Sequence, residues 1–249
     1  MGHVEIERGG GIAVVTLGRG KVNALNVQVV EELAAAFREA ATDEAVGAVV
    51  LTGRGKFFSF GFDIPEFLGF SKEAFVDYLT RFTGLYRQMF IYPKPIVAAL
   101  NGHTVAGGCM LALACDRRLM VPGGAKISLN EITFGASVFF GAVEMLRLVV
   151  GARQAERVLF GGAMYLPEEA REIGLVDAVV AADRLPEEAR AAAAGLAARD
   201  PAAFASIKRL LRGPTAQAMV AHERDSILEF TEIWYSPATR AKLKEITIR

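Results

Sequence analysis

Two apolar runs that each lead into a glycine-bearing turn constrain the fold of this chain most strongly. Residues 46–52 and 95–100 are typical of buried strands, and the turns 59–63 and 101–108 follow them. The second turn continues directly into a helical stretch, 109–114. Glycine lets the backbone approach a ligand closely, and the first N–H groups of a helix have no partner within that helix. The pattern predicts an α/β fold in which two turns direct free N–H donors at one point.

Such a pair of donors would stabilise an oxygen atom that gains negative charge, and the positive end of the helix would add to the effect. The sequence therefore predicts acyl chemistry through an oxyanion or an enolate.

The 249 residues are 52% hydrophobic, which supports one sizeable core. The net charge is zero and no basic stripe is present, which argues against a nucleic-acid partner. Charges or glycines interrupt every apolar segment before it reaches a membrane-spanning length, so we expect no membrane partner.

The cysteines and the first residues indicate a reducing, cytoplasmic setting. Cys109 and Cys115 are the two cysteines, and they lie six residues apart in one helical segment. Two positions on one rigid helix are poorly placed for a disulfide, so we interpret both cysteines as small core residues. Residues 1–5 lack a secretory pattern. The three histidines show no metal-ligand spacing, and we expect no metal site.

The first half of the chain alternates strands with helices. Residues 4–8 and 12–17 predict a hairpin, Asn26 is typical of a helix N-cap, and helices are expected over 27–41 and 72–90. This alternation, without a linker or a low-complexity tract, favours an α/β architecture.

The second half of the chain is mainly helical. Among its predicted helices are two near the C-terminus, over residues 201–212 and about 216–235. The last helix carries an apolar stripe formed by Met219, Ile227, Phe230, Ile233 and Trp234. We expect this stripe to contact another subunit, and docking onto the body of the same chain is the alternative.

Two positions could hold an acid or a base near these turns. Residue 110 lies three positions beyond Gly107 on the same helical face, but it is Met110, whose thioether cannot exchange a proton at neutral pH. The other candidate is Glu131, which follows a short predicted strand among apolar neighbours such as Leu129 and Phe134. Such neighbours would raise the pKa of the carboxyl group and suit a base that later acts as an acid. An exposed loop glutamate is the alternative, and it stays open at this point.

Three motifs together resemble those of the crotonase (enoyl-CoA hydratase/isomerase) superfamily. They are residues 58–63, residues 101–116 and residues 174–177, and the similarity extends over essentially the whole chain. The resemblance implies a crotonase-like spiral of ββα units over residues 1–195. It also implies a C-terminal helical region over residues 196–249 that builds a homotrimer or a dimer of trimers.

The resemblance implies that the substrate is an acyl-CoA thioester, whose carbonyl oxygen lies between the backbone N–H groups of Phe62 and Gly107. Coenzyme A then belongs to the substrate, and no separate cofactor is expected. The loop 21–26 falls where the family holds the adenine and the pantetheine. Further substrate contacts are implied at Val22, Ala24, Leu25, Phe60, Gly61, Asp63, Ile64, Val105, Gly108, Met110, Phe134 and Phe139.

The chain departs from the hydratases of the superfamily at one of two glutamate positions. Hydratases carry glutamates at the positions of Met110 and Glu131, whereas the mitochondrial-type Δ3,Δ2-enoyl-CoA isomerases, which this chain resembles more closely, keep only the second. Residues 135–142 form an apolar wall instead of the Pro-Gly-Ala-Gly-Gly-like run of many hydratases. The resemblance therefore implies a Δ3,Δ2-enoyl-CoA isomerase with Glu131 as its single proton shuttle. A hydratase-like or other crotonase-type reaction, and a catalytically silent acyl-CoA-binding protein, are the alternatives.

Several polar residues near these motifs have structural interpretations. We expect His103 to make a structural hydrogen bond and Asp63 to cap a helix. Asn130 is a candidate to orient Glu131. Lys208 is a candidate partner for a coenzyme A phosphate, and a solvated surface charge is the alternative.

Overall fold

The computed structural model describes residues 2–246, in which the strands form two sheets. The strands of this part of the chain are β1 (Val4–Gly9), β2 (Ile12–Leu17), β3 (Ala48–Gly53), β4 (Phe57–Ser59), β5 (Ile96–Leu100), β6 (His103–Val105), β7 (Arg117–Met120), β8 (Ile127–Ser128) and β9 (Ala178–Val179). The larger sheet has the order β1-β2-β3-β5-β7-β9, and the smaller sheet has the order β4-β6-β8. Apart from the antiparallel β1–β2 hairpin, all these pairs are parallel.

Helices cover the sheets and make up most of the second half of the chain. They are α1 (Val27–Thr42), α2 (Ile64–Phe67), α3 (Lys72–Phe90), α4 (Gly107–Ala114), α5 (Phe140–Val150), α6 (Ala152–Gly161), α7 (Pro167–Glu172), α8 (Leu185–Ala197), α9 (Pro201–Trp234) and α10 (Pro237–Leu243). A single 3₁₀ turn, Glu131–Phe134, also lies within residues 2–246. Asn26 caps α1 as expected, because its side chain accepts a hydrogen bond from the Val29 amide at 3.1 Å.

A ββα path repeats along the chain. β3, β5 and β7 are neighbours in the larger sheet, and β4, β6 and β8 are neighbours in the smaller sheet. After β3, β5 and β7 the chain crosses to the smaller sheet and then continues to a helix, giving β3-β4-α3, β5-β6-α4 and β7-β8-α5. This path is the expected spiral α/β fold. It carries the ends of β4 and β6, and the turns that follow them, to the same side of the molecule.

The central strands β3 and β5 of the larger sheet are buried on both faces, which explains their nearly continuous apolar sequences. Along β3, Val49 and Leu51 pack into the main core, whereas Ala48 and Val50 pack into a second cluster beneath α8. The alternation follows from the two-residue period of a strand.

The C-terminal helices differ from the prediction in one respect. Residues 201–234 form one helix, α9, with Pro214 inside it, whereas the sequence predicted a break near residue 213. An internal proline costs about 3 kcal/mol, and the packing of α9 on α3 and α5 opposes that cost.

The apolar stripe of α9 packs on its own chain. Met219, Ile227, Phe230 and Trp234 are all buried in the main core. For these four residues the expected contact with another subunit is wrong and docking onto the same chain is correct, whereas Ile233 is partly buried and lines a cavity. Periodicity identified the face that is buried, but the partner depends on tertiary packing.

Lys208 anchors the first half of α9 to the end of the larger sheet. It is 4% exposed, and its ammonium group donates to Asp116 at 2.7 Å. Arg212 lies 3.2 Å from the other oxygen of the same carboxylate. Lys208 is thus buried and paired, so both the phosphate partner and the solvated surface charge are wrong.

The division predicted between residues 195 and 196 falls inside the last turn of α8. Ala189 and Ala193 of the same helix pack on the larger sheet. The assignment of residues 196–249 to an assembly region stays a prediction. Within residues 2–246, no helix has both the length and the apolar composition needed to cross a membrane.

Glu223 of α9 caps the beginning of α5. Phe139 provides no side-chain cap, and the Gly141 amide instead donates to the Glu223 carboxylate at 3.1 Å. The Tyr86 hydroxyl of α3 donates to the same carboxylate. Burial raises the pKa of Glu223 above its ordinary value. A Cβ at position 141 would lie 2.7 Å from both Glu223 Oε2 and the Tyr86 hydroxyl, so the junction has room only for glycine.

We expect Gly141→Ala to lower the free energy of unfolding by about 1–3 kcal/mol, because the methyl group overpacks this junction. Urea denaturation measures the change. Gly84→Ala in α3 is the matched control, since no atom lies within 4 Å of the Cβ that it adds. The control should raise the free energy of unfolding by about 0.5–1 kcal/mol through helix propensity. Equal changes in the two variants would contradict the steric explanation.

Candidate active site

A cavity of about 310 Å³ lies where the two glycine-bearing turns meet the 3₁₀ turn and the end of α9. Its walls are mainly apolar, and Glu131 is the one lining residue with a carboxyl group among residues 2–246. The lining residues are Phe60, Phe62, Ile64, Val105, Ala106, Gly107, Met110, Asn130, Glu131, Thr133, Phe134, Phe139, Phe230, Trp234 and Ile246.

In the first turn, backbone hydrogen bonds on both sides of Phe62 fix the position of its amide. The Leu25 amide donates to the Gly61 carbonyl at 2.8 Å, and the Asp63 amide donates to the Leu25 carbonyl at 3.1 Å. Phe62 lies between these two bonds, and its own N–H donates to no backbone carbonyl of residues 2–246. The Gly107 N–H, the first of α4, is likewise without a backbone acceptor in this part of the chain. The two predicted donors are therefore both free of backbone hydrogen bonds.

The two turns are in direct contact. A Cβ built on Gly61 would lie 3.0 Å from the Gly107 nitrogen, and one built on Gly108 would lie 2.5 Å from the Ser59 carbonyl oxygen. Gly61 also has a φ of 87°, which disfavours any other residue. Glycine at these two positions lets the turn after β4 touch the beginning of α4.

Glu131 begins the 3₁₀ turn that follows β8, and it lies beside the second turn because the Ala106 amide donates to the Ser128 carbonyl at 2.9 Å. The residue is 4% exposed, so the exposed-loop alternative is wrong. Neither carboxylate oxygen has a hydrogen-bond partner within residues 2–246. Burial raises the pKa of Glu131 to about 8. Asn130 makes no hydrogen bond to this carboxylate, which removes its expected orienting role.

Met110 lies one helical turn after Gly107 and is 1% exposed. Met110 is one of the residues that form the cavity wall. Aromatic rings close another side: the Phe139 and Phe230 ring centroids are 4.5 Å apart, and those of Phe62 and Phe139 are 6.3 Å apart. The cavity thus combines one ionisable group with apolar walls.

A second cavity, of about 640 Å³, lies on the other side of the 3₁₀ turn. Glu131 lines this cavity too, so the residue borders both spaces. The outer cavity is bordered by exposed apolar side chains, of which Phe160 is 76% exposed and Ile132 is 48% exposed.

The structure brings together most of the predicted site residues. Those that line the smaller cavity are Phe60, Phe62, Ile64, Val105, Gly107, Met110, Glu131, Phe134 and Phe139. Gly61 and Gly108 lie directly behind the donors, as described above.

Besides Gly61 and Gly108, four predicted residues lie outside the cavity wall. Val22, Ala24 and Leu25 are buried in the loop beside the first turn, where the Val22 carbonyl accepts from the Phe60 amide at 3.0 Å. Asp63 accepts from the Glu66 amide at 3.2 Å and from Arg19 at 2.6 Å, so it caps α2 as expected.

Sequence reasoning did not assign Ala106, Thr133, Phe230, Trp234 or Ile246 to the site. The apolar stripe of α9 contained a signal for Phe230 and Trp234, but it was interpreted as a subunit contact. His103 makes a structural hydrogen bond as expected, because its Nδ1 accepts from the Lys126 amide at 3.2 Å. Residues 2–246 hold no group of three or more metal-ligating side chains.

Comparisons with known proteins identify the class to which this fold and site belong. A sequence model of the family described as enoyl-CoA hydratase/isomerase matches residues 7–234. The crystal structure of human mitochondrial delta3-delta2-enoyl-CoA isomerase superposes with a TM-score of 0.94 at 29% identity, over 98% of this chain and 96% of that chain. The chain is therefore an enzyme of the crotonase superfamily.

Two relatives show how similar members of the family are named. Mouse mitochondrial enoyl-CoA delta isomerase 1 is 31% identical over 230 residues, which cover 92% of this chain and 80% of the relative. A probable enoyl-CoA hydratase of Rhizobium meliloti is 40% identical over 194 residues, which cover 77% of this chain and 74% of the relative. The chain belongs to the enoyl-CoA hydratase/isomerase family, and its relatives carry both names.

The raised pKa of Glu131 predicts a pH dependence of stability. Between its ordinary pKa of 4.5 and about 8, the folded protein keeps a proton that the unfolded chain has lost. The free energy of unfolding should therefore fall as pH rises through this window, by up to about 1.4 kcal/mol per pH unit. Glu131→Gln should flatten this slope and be the more stable protein above pH 8.

Urea denaturation between about pH 5 and pH 9 measures both slopes. Glu168→Gln on α7 is the control, because its exposed carboxylate pairs with Arg171 at the surface. An unchanged slope in Glu131→Gln would show that this carboxyl group is not the one that titrates.

Proposed function

We propose that this protein is a Δ3,Δ2-enoyl-CoA isomerase, which moves the double bond of a 3-enoyl thioester to the 2-position. The observation that carries the proposal is a single carboxyl group, Glu131, in an otherwise apolar cavity beside two free N–H donors. The similarity to the mouse and human proteins named as isomerases supports it.

The thioester carbonyl oxygen would accept hydrogen bonds from the Phe62 and Gly107 amides. Glu131 removes a proton from C2, and the negative charge passes into a dienolate whose oxygen is held by the two donors. The protonated Glu131 then returns a proton to C4, which leaves the double bond between C2 and C3. Loss of one such donor typically costs about 3–4 kcal/mol of barrier, so two donors make a weak carbon acid accessible.

The surroundings of Glu131 suit a group that takes and returns the same proton. Its oxygens have no partner within residues 2–246, so no hydrogen bond ties the carboxylate to either carbon. A pKa of about 8 makes the ionised form a stronger base than an ordinary carboxylate. Both proton transfers can thus use one residue, and the reaction needs no cofactor beyond the coenzyme A of the substrate.

Hydration is the second candidate, favoured by the 40% identity to the protein named probable enoyl-CoA hydratase. It requires a water molecule at C3 and a second group that exchanges protons with it. Met110 occupies the position from which such a group would act, and the phenylalanine rings of the cavity wall offer no polar partner for an ordered water molecule. These features favour isomerisation, in which added water would be a side reaction. Binding of an acyl-CoA without turnover is the remaining alternative.

We also propose that the protein forms a homotrimer or a dimer of trimers. The support is the exposed apolar surface: Phe160 beside the outer cavity, and Leu210 and Leu211 on α9, which are 73% and 67% exposed. A second copy of the chain would cover such side chains.

The purified protein should convert 3-enoyl thioesters to conjugated 2-enoyl thioesters, followed by the rise in ultraviolet absorbance. Glu131→Gln should lower kcat by about 10²–10⁴-fold while acyl-CoA binding persists, because the amide fills the same space but accepts no proton. kcat/KM of the wild type should rise with pH and level off above about 8, since the base must be ionised.

Glu168→Gln serves again as the control and should keep wild-type rates. Deuterium uptake at C2 gives an independent readout of proton removal. A 3-enoyl thioester that stays unchanged with the wild-type protein, or C2 exchange that persists in Glu131→Gln, would overturn the isomerase mechanism.

Met110→Glu should raise the rate of hydration of a 2-enoyl thioester at least about tenfold, because it adds a second proton carrier to the cavity. Met110→Gln is the matched control, since it has the same size and polarity without an exchangeable acid. Product analysis for the 3-hydroxyacyl thioester measures the gain. An equal gain in both variants would show that polarity, and not the added acid, causes the effect. No gain in either variant would show that the apolar wall of the cavity, and not the missing acid, limits hydration.

A further inference from the structure

Ala106 is held in a backbone conformation that residues with a Cβ rarely adopt. Its φ is 50° and its ψ is −119°. Within residues 2–246, Asn23 is the only other residue besides glycines with a positive φ. Asparagine tolerates such angles, whereas alanine has no side-chain group that compensates for them. The strain therefore lies at the residue directly before the Gly107 donor.

Two hydrogen bonds hold Ala106 in this conformation. Its amide donates to the Ser128 carbonyl of β8 at 2.9 Å, and its carbonyl accepts from the Met110 amide of α4 at 3.0 Å. One bond fixes the residue to the strand that leads to Glu131, and the other fixes it to the first turn of the donor helix. The peptide group between Ala106 and Gly107 has little freedom as a result, which leaves the Gly107 N–H free of backbone acceptors.

The methyl group of Ala106 contacts the other donor turn. A Cβ built on Gly61 would lie 3.0 Å from the Ala106 Cβ and 3.0 Å from the Gly107 nitrogen. Gly61 directly precedes Phe62, the residue that carries the first donor. The Ala106 methyl group thus lies between the two turns, against the backbone of the first.

We infer that Ala106 is a positioning residue: its strained backbone directs the Gly107 N–H, and its methyl group sets the separation between this donor and the Phe62 N–H. The inference rests on the proposed function, because the separation matters only if a thioester oxygen binds both donors. Strain is then the consequence of placing a methyl spacer where glycine would fit more easily.

Ala106→Gly tests the inference. Glycine adopts these angles without strain, so the variant should unfold at a urea concentration no lower than the wild type. It should also lower kcat for a 3-enoyl thioester at least about tenfold, since the donors lose their fixed separation. KM should change less than about threefold, because the substitution removes one methyl group and leaves the other apolar side chains of the cavity in place. Loss of activity without loss of stability is the result that a merely structural residue would not give.

Ala112→Gly is the matched control. Ala112 lies in the same helix, α4, and is buried outside the lining of the cavity. The control should unfold at a lower urea concentration, through helix propensity, and keep the wild-type kcat. An unchanged kcat in Ala106→Gly, or an equal loss of kcat in the two variants, would overturn the inference.

Acetoacetyl-CoA separates this inference from the proposed reaction. Its C2–H is acidic, and donors at the thioester oxygen shift the bound molecule toward the enolate, which has a distinct ultraviolet absorbance. We expect the ratio of bound enolate to bound keto form to fall at least about tenfold in Ala106→Gly and to stay unchanged in Ala112→Gly. If the wild type forms the enolate but converts no 3-enoyl thioester, only the isomerase proposal fails. If the ratio is the same in wild type and Ala106→Gly, or no enolate forms at all, the inference fails.

Discussion

The contact between the turn after β4 and the beginning of α4 is the constraint on which the site depends. It exists because glycine at positions 61 and 108 leaves no side chain between two backbones. The ββα path brings the two turns to one side of the molecule, and the missing side chains let them touch. The contact leaves the N–H groups of Phe62 and Gly107 without backbone hydrogen-bond acceptors within residues 2–246. The apolar walls and Glu131 lie around these two amides.

Glu131 has no hydrogen bond within residues 2–246 and little contact with water, which is an unfavourable state for a carboxylate. Stability and reactivity oppose each other here. A hydrogen-bonded carboxylate would be easier to bury, but its pKa would be lower and it would be a weaker base for a carbon-bound proton. The strain at Ala106 has the same character, because an unstrained residue would fold more easily and hold its neighbour less firmly. The packing of the core, including that of α9, must offset the free energy that these two residues cost the folded state.

Local patterns predicted much of this fold, and they were wrong where tertiary packing decides. The bounds of α3 agree with the prediction at both ends, because a serine cap and two nearby prolines mark them. The helix break near Pro214 was wrong because local rules take no account of the packing of α9 on α3 and α5. The burial of Glu131 was suggested by its apolar neighbours. The positive φ of Ala106 had no sequence signal, because it arises from hydrogen bonds with two elements, one of which is distant in sequence.

Glu131 borders both the cavity of the site and the outer cavity. A change in what fills the outer cavity would therefore change the polarity around this residue. A partner that seals this space with hydrocarbon would make the group a stronger base, and an influx of solvent would weaken it. Substitutions on the rim of the outer cavity would then change the pKa of Glu131 from a distance. Contact with another subunit at this rim would change the same pKa.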